Sequence, residues 1–104
     1  MEIEFFNAKT QKFVESLEPR HRPKTSRAFE LLEEYGNNLG LPHSKSLGGG
    51  LFELRIVGTI QLRFLYAFHE DKIWMLHALI KKANSIPKAD IDYAKKQLKA
   101  LASI

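Results

Sequence analysis

A chain of 104 residues and 12.0 kDa has room for one modest core, so residues 1–104 are read as a single domain. It contains no cysteine, which excludes disulfides, iron–sulfur clusters and thiolate zinc sites and gives no reason to place it outside the cytoplasm. Sixteen Lys and Arg against twelve Asp and Glu leave a net charge of +4 and a pI near 9.4, which points to an anionic partner, either RNA or an acidic protein.

The opening Met1-Glu2-Ile3-Glu4-Phe5-Phe6 is too short and too acidic for a signal peptide, and no apolar run approaches membrane-spanning length. Ile3 and Phe5 alternate with polar neighbours as a short first strand. Asn7 or Thr10 starts a helix whose stripe is Phe13, Val14 and Leu17, and Pro19 interrupts it. A longer helix runs from about Arg22 or Pro23 to about Asn37, with Ala28, Leu31, Leu32 and Tyr35 as its buried positions. Pro42 and the glycines Gly48 to Gly50 make the segment from Leu41 to Gly50 a loop.

From Leu51 the period changes to two. Phe52, Leu54 and Ile56 point one way, and Glu53, Arg55 and Val57 the other. Gly58-Thr59 turns the chain into a second strand, with Leu62, Phe64, Tyr66 and Phe68 on one face and Gln61, Arg63, Leu65 and Ala67 on the other. His69 to Lys72 is a second turn. In the third strand Trp74, Leu76, Ala78 and Ile80 fit the core side, leaving Met75, His77, Leu79 and Lys81 opposite. Pro87 and Asp90 suit the start of a last helix with the stripe Ile91, Ala94, Leu98 and Leu101. The expected fold is α+β, in the order β-α-α-β-β-β-α, with a mainly antiparallel sheet packed against helices.

The polar face of this sheet is cationic. Arg55 and Arg63 lie on adjacent strands, where guanidinium groups hold phosphate through paired hydrogen bonds and stabilise charge developing on it. Glu53 either orients Arg55 or accepts a proton from a ribose hydroxyl. His77 is either a residue that moves protons or a satisfied, partly buried histidine. Lys81 and Lys82 end the third strand with opposite directions, so one reaches the cationic face, and Lys45 precedes the glycine run close enough to close over it. The four histidines are too scattered to predict a metal site, and the glycine run lacks the spacing of a nucleotide loop; neither a metal nor a cofactor is expected.

As a set, the run Lys45-Ser46-Leu47-Gly48-Gly49-Gly50-Leu51-Phe52-Glu53-Leu54-Arg55, then Arg63-Phe64-Leu65-Tyr66, Leu76-His77-Ala78-Leu79-Ile80-Lys81-Lys82, and Pro87 with Ala94, resembles the RelE/ParE toxin superfamily, and more closely its phage-derived, HigB-like branch. The resemblance implies a RelE-like fold and the toxin of a type II toxin–antitoxin pair. Such a toxin is a metal-independent endoribonuclease that cleaves mRNA on the translating ribosome, acts in the cytoplasm and is neutralised by a helix-turn-helix antitoxin. By motif position it carries over Arg55, Arg63 and Lys81 first, then Glu53, His77 and Lys82; Lys45 joins the RNA-binding set. The C-terminal run Leu98 to Ile104 reads as helix packing and lacks a concentrated set of catalytic side chains. Two other outcomes share the same pattern: a catalytically inactive relative that binds an antitoxin or nucleic acid, and a toxin aimed at gyrase.

Overall fold

A computed structural model describes residues 1–104. Five strands form one sheet in the order β1-β5-β4-β3-β2: β1 (Glu2–Phe5), β2 (Ser44–Gly48), β3 (Leu51–Val57), β4 (Gln61–His69) and β5 (Lys72–Ile80). The helices are α1 (Ala8–Glu15), α2 (Arg22–Tyr35) and α3 (Lys88–Ala102). The chain is thus a mixed α+β fold in the order β-α-α-β-β-β-β-α, one strand more than expected. Strand β1 pairs in parallel with β5, and every other pairing is antiparallel.

The added strand is β2, in the segment expected to be a loop. It pairs Ser44 with Leu54 and Lys45 with Glu53, and the hydroxyl of Ser44 meets that of buried Tyr66 at 2.5 Å. The chain then reverses through Gly48, Gly49 and Gly50, at φ of +89°, +63° and +89°. Side chains other than glycine seldom adopt that conformation, so the glycine run is the hairpin turn itself. The β4–β5 turn takes the same left-handed course with Glu70 and Asp71, at φ of +50° and +62°.

Two apolar layers enclose the sheet. On one face Leu54, Ile56, Leu62, Phe64, Tyr66, Ile73 and Met75 pack against α1 and α2, with Leu32 at the centre and Phe13 and Phe29 edge-on to Phe64. On the other, Leu51, Leu65, Ala67, Leu76 and Leu79 pack against Ala94 and Leu101 of α3. The second face is therefore not the open cationic surface that alternation suggests, because α3 covers its β4–β5 side. Helix α2 buries Thr25 and Leu32 and half-buries Phe29, while Tyr35, expected inside, is half exposed.

Strand β5 departs from regular alternation. Leu65 pairs with His77 and Tyr66 with Met75, so Leu76 is an unpaired, bulged residue. As a result Trp74 and Leu76 pack on the α3 side and Met75 on the α1/α2 side, the reverse of the expectation, whereas His77, Leu79 and Lys81 keep the face expected for them. A bulge leaves backbone groups without ladder partners. Here Asn7 fills the gap: its Nδ2 donates to the Leu76 carbonyl at 2.9 Å and to Gln97 Oε1 at 2.8 Å, while its Oδ1 caps α1 by accepting from the Thr10 amide at 2.8 Å.

One side chain thus fastens α1, β5 and α3. Replacing Asn7 with Ala removes an N-cap and three further hydrogen bonds, to Leu76, Gln97 and the Thr10 hydroxyl, and is expected to lower stability by about 2–3 kcal/mol, measured by urea denaturation.

Candidate nucleic-acid interface

The β2–β3 side of the second face lies beyond α3 and forms a cleft of about 270 Å³. Strand pairing determines what faces it. Lys45 sits opposite Glu53, and Arg55 sits opposite Arg63. The Lys81 amide donates to the Gln61 carbonyl at 2.7 Å, prolonging β5 past Ile80 and bringing Lys81 to the same wall. Asn84, Ser85, Ile86 and Ile91 close the cleft from the β5–α3 connection and the first turns of α3.

Five of the residues singled out in the sequence, Lys45, Glu53, Arg55, Arg63 and Lys81, therefore line one cleft. Four are cations and one is a carboxylate. Like charges directly opposite one another on a sheet repel, and Glu53 offsets this by lying beside both guanidinium groups. Its Oε1 accepts from Arg55 Nε and lies 3.7 Å from Arg63 Nε. The Glu53 and Arg63 side chains are 7% exposed and that of Arg55 is 30% exposed, so Arg55 presents its head to solvent while the other two form a buried base.

Arg63 is fixed further by donating from Nη1 to the Leu62 carbonyl at 2.9 Å and from Nη2 toward Gln61 Oε1 at 3.5 Å. Burial lowers its pKa from the ordinary arginine value; Glu53 opposes the shift and Arg55 adds to it. It remains a cation at neutral pH. No carboxylate pairs with Lys45 or Lys81, so their charges are available to a ligand. An open cleft with three positive charges in excess and fixed guanidinium donors suits a phosphate-bearing ligand.

Two expected site residues lie elsewhere. Lys82 is exposed and does not line the cleft. His77 is buried beneath α3, where Nε2 meets Asp90 Oδ1 at 2.6 Å and the ring lies 4.8 Å from that of Tyr93; its Nδ1 has no partner. It is a tether between β5 and α3. Sequence reasoning missed Gln61, which braces Arg63, and Asn84 and Ser85, which lie in a connection with no periodicity to mark them. No three His, Asp or Glu side chains gather into a group able to hold a metal ion, and no helix is long and apolar enough to cross a membrane.

Fold and site together define a basic α+β protein with a cation-lined cleft at one side of its sheet. The family model described as Phage derived protein Gp49-like (DUF891) matches residues 12–99, a span that holds every cleft residue, and the chain belongs to that family. The family lies within the RelE/ParE-like toxin superfamily and is associated with the toxins of toxin–antitoxin pairs. No curated protein matches the sequence.

Glu53→Gln keeps the shape of the side chain but leaves Arg63 buried without its counter-charge. The expected cost is about 3 kcal/mol in chemical denaturation, against less than about 0.5 kcal/mol for exposed Lys45→Ala.

Proposed function

We propose that the protein is the toxin of a type II toxin–antitoxin pair, a HigB-like member with a RelE-like domain. It cleaves mRNA on the translating ribosome in the cytoplasm, without a metal ion, and is held in check by a helix-turn-helix antitoxin. The observation that carries this reading is the convergence of Lys45, Arg55, Arg63 and Lys81 around Glu53 in one open cleft.

The chemistry is an internal phosphoryl transfer. The 2′-oxygen attacks the adjacent phosphorus, the bond to the 5′-oxygen breaks, and the products are a 2′,3′-cyclic phosphate and a 5′-hydroxyl. Arg55 and Arg63 neutralise charge on the equatorial oxygens, and they do so from fixed positions, which avoids reorganisation as that charge grows. The 2′-hydroxyl already neighbours the phosphate, so holding it in line is the remaining geometric task, and Lys45 binds the flanking phosphate. Glu53 accepts the 2′-proton and Lys81 supplies a proton to the departing 5′-oxygen. His77 takes no part, since Asp90 and α3 separate it from the cleft.

Cleavage is measured with purified protein on programmed ribosomes, with free RNA and a DNA-gyrase assay in parallel. Arg63→Ala and Arg55→Ala are each expected to slow cleavage on the order of 10²–10³-fold, the usual loss for one preorganised donor. Folded variants that cleave at the wild-type rate would falsify the assignment, and gyrase inhibition without RNA cleavage would replace the reaction itself.

A further inference from the structure

Between α1 and α2, across the sheet from the cleft, a groove of about 350 Å³ opens to solvent. Its floor is apolar: Val14 of α1, Leu17 just beyond that helix and Phe29 of α2 all belong to the core layer on this side of the sheet. Phe29 lies edge-on to Phe64 with ring centroids 5.0 Å apart, so this wall is held from beneath. The rim carries one guanidinium, Arg22, one carboxylate, Glu15, and the hydroxyl of exposed Ser26, and no other ionisable side chain lines the groove.

Helix α1 ends at Glu15, and the carbonyls at a helix end lack intrahelical partners. Arg22 grips two carbonyls there: Nε donates to that of Leu17 at 3.1 Å and Nη2 to that of Glu15 at 3.3 Å. Its guanidinium is thus fixed before any ligand arrives and keeps donors to spare. The Glu15 carboxylate belongs to the very residue whose carbonyl Arg22 holds, yet it forms no ion pair with Arg22, and neither charge has another partner of opposite sign. Two opposite charges this close that leave each other free suit a ligand carrying both. A simple anion is repelled by Glu15 and a simple amine by Arg22. A peptide brings one charge at each terminus and none in its interior, and a polynucleotide needs cations in series. A free α-amino acid bears both charges on one carbon and a side chain for the floor.

We propose that this groove binds a free apolar α-amino acid, its carboxylate on Arg22, its ammonium on Glu15 and its side chain against Val14, Leu17 and Phe29. The volume lies near the lower end of small-ligand pockets, which suits a molecule of that size. No residue is shared with the cleft, so the site does not depend on the toxin reading and is tested without RNA.

The test titrates the full chain with L-leucine by calorimetry, alongside four analogues: 4-methylpentanoate lacks the ammonium, 3-methylbutylamine lacks the carboxylate, N-acetyl-leucine amide lacks both charges, and glycine lacks the side chain. The wild type is expected to bind L-leucine at least about tenfold more tightly than any of the four. Glu15→Gln, at an exposed position, is expected to weaken L-leucine about tenfold and to leave 4-methylpentanoate no weaker than before. Ser26→Phe fills the groove from an exposed helix position and is expected to weaken L-leucine about tenfold, while Lys96→Glu on α3 leaves it within about twofold. Arg22→Gln is expected to act like Glu15→Gln on L-leucine; should it loosen the α1–α2 hairpin, the Glu15 and Ser26 variants, which break no hydrogen bond of their side chains, give the reading alone. Absence of saturable L-leucine binding up to about 10 mM, equal binding of L-leucine and any one analogue, or wild-type affinity in Glu15→Gln or Ser26→Phe would each overturn the proposal.

Discussion

The carboxylate of Glu53 makes the rest of the sheet's charged side workable. Arg55 and Arg63 face each other across the β3–β4 ladder, an arrangement that repels unless an anion lies between them. Glu53 supplies that anion from two residues upstream on the same strand face. It therefore protects the register of the two central strands, and register decides which side chains reach each apolar layer. The interaction that holds the sheet in phase also aims two guanidinium groups at one volume.

The two faces of the sheet are covered unequally, and the cleft follows from this. Helices α1 and α2 meet a continuous apolar surface. Helix α3 covers only the part of the other face supplied by Leu65, Ala67, Leu76 and Leu79, together with Leu51, and it stops short of the charged residues on β2 and β3. Asn7 and the His77–Asp90 pair tether α3 near its two ends, the first through Gln97 and the second in its opening turns. The connection from β5 to α3 is thereby held at the cleft margin, which is where Asn84 and Ser85 join the site.

Much of this arrangement was legible because β3 and β4 alternate cleanly. Phe52, Leu54 and Ile56 oppose Glu53 and Arg55, and Leu62, Phe64 and Tyr66 oppose Arg63, so the core face and the cationic row could be read by counting in twos. Strand β2 was hidden because it is short, lies at an edge and ends in glycine; its pairing is dictated by β3 and not by its own composition. The phase of β5 was hidden because nearly every residue in it is apolar, which gives alternation nothing to register. His77 and Asp90 belong to different elements, so their pairing needs the packed fold. Tyr35 satisfies helical spacing but sits in the last turn of α2, where the helix is leaving the core.

The bulge at Leu76 makes β5 a strand with one residue that the ladder does not count. Were Leu76 paired instead, every later side chain would change face, and Lys81 would turn from the cleft toward the oily layer beneath α1 and α2. Loss of the bulged position alone would close the ladder while leaving both halves of the strand on their present faces. The location of a cleft cation is therefore a question of odd and even, settled five residues upstream. Chains of this design can differ in length by one residue at that point and still deliver the same charge to the same wall.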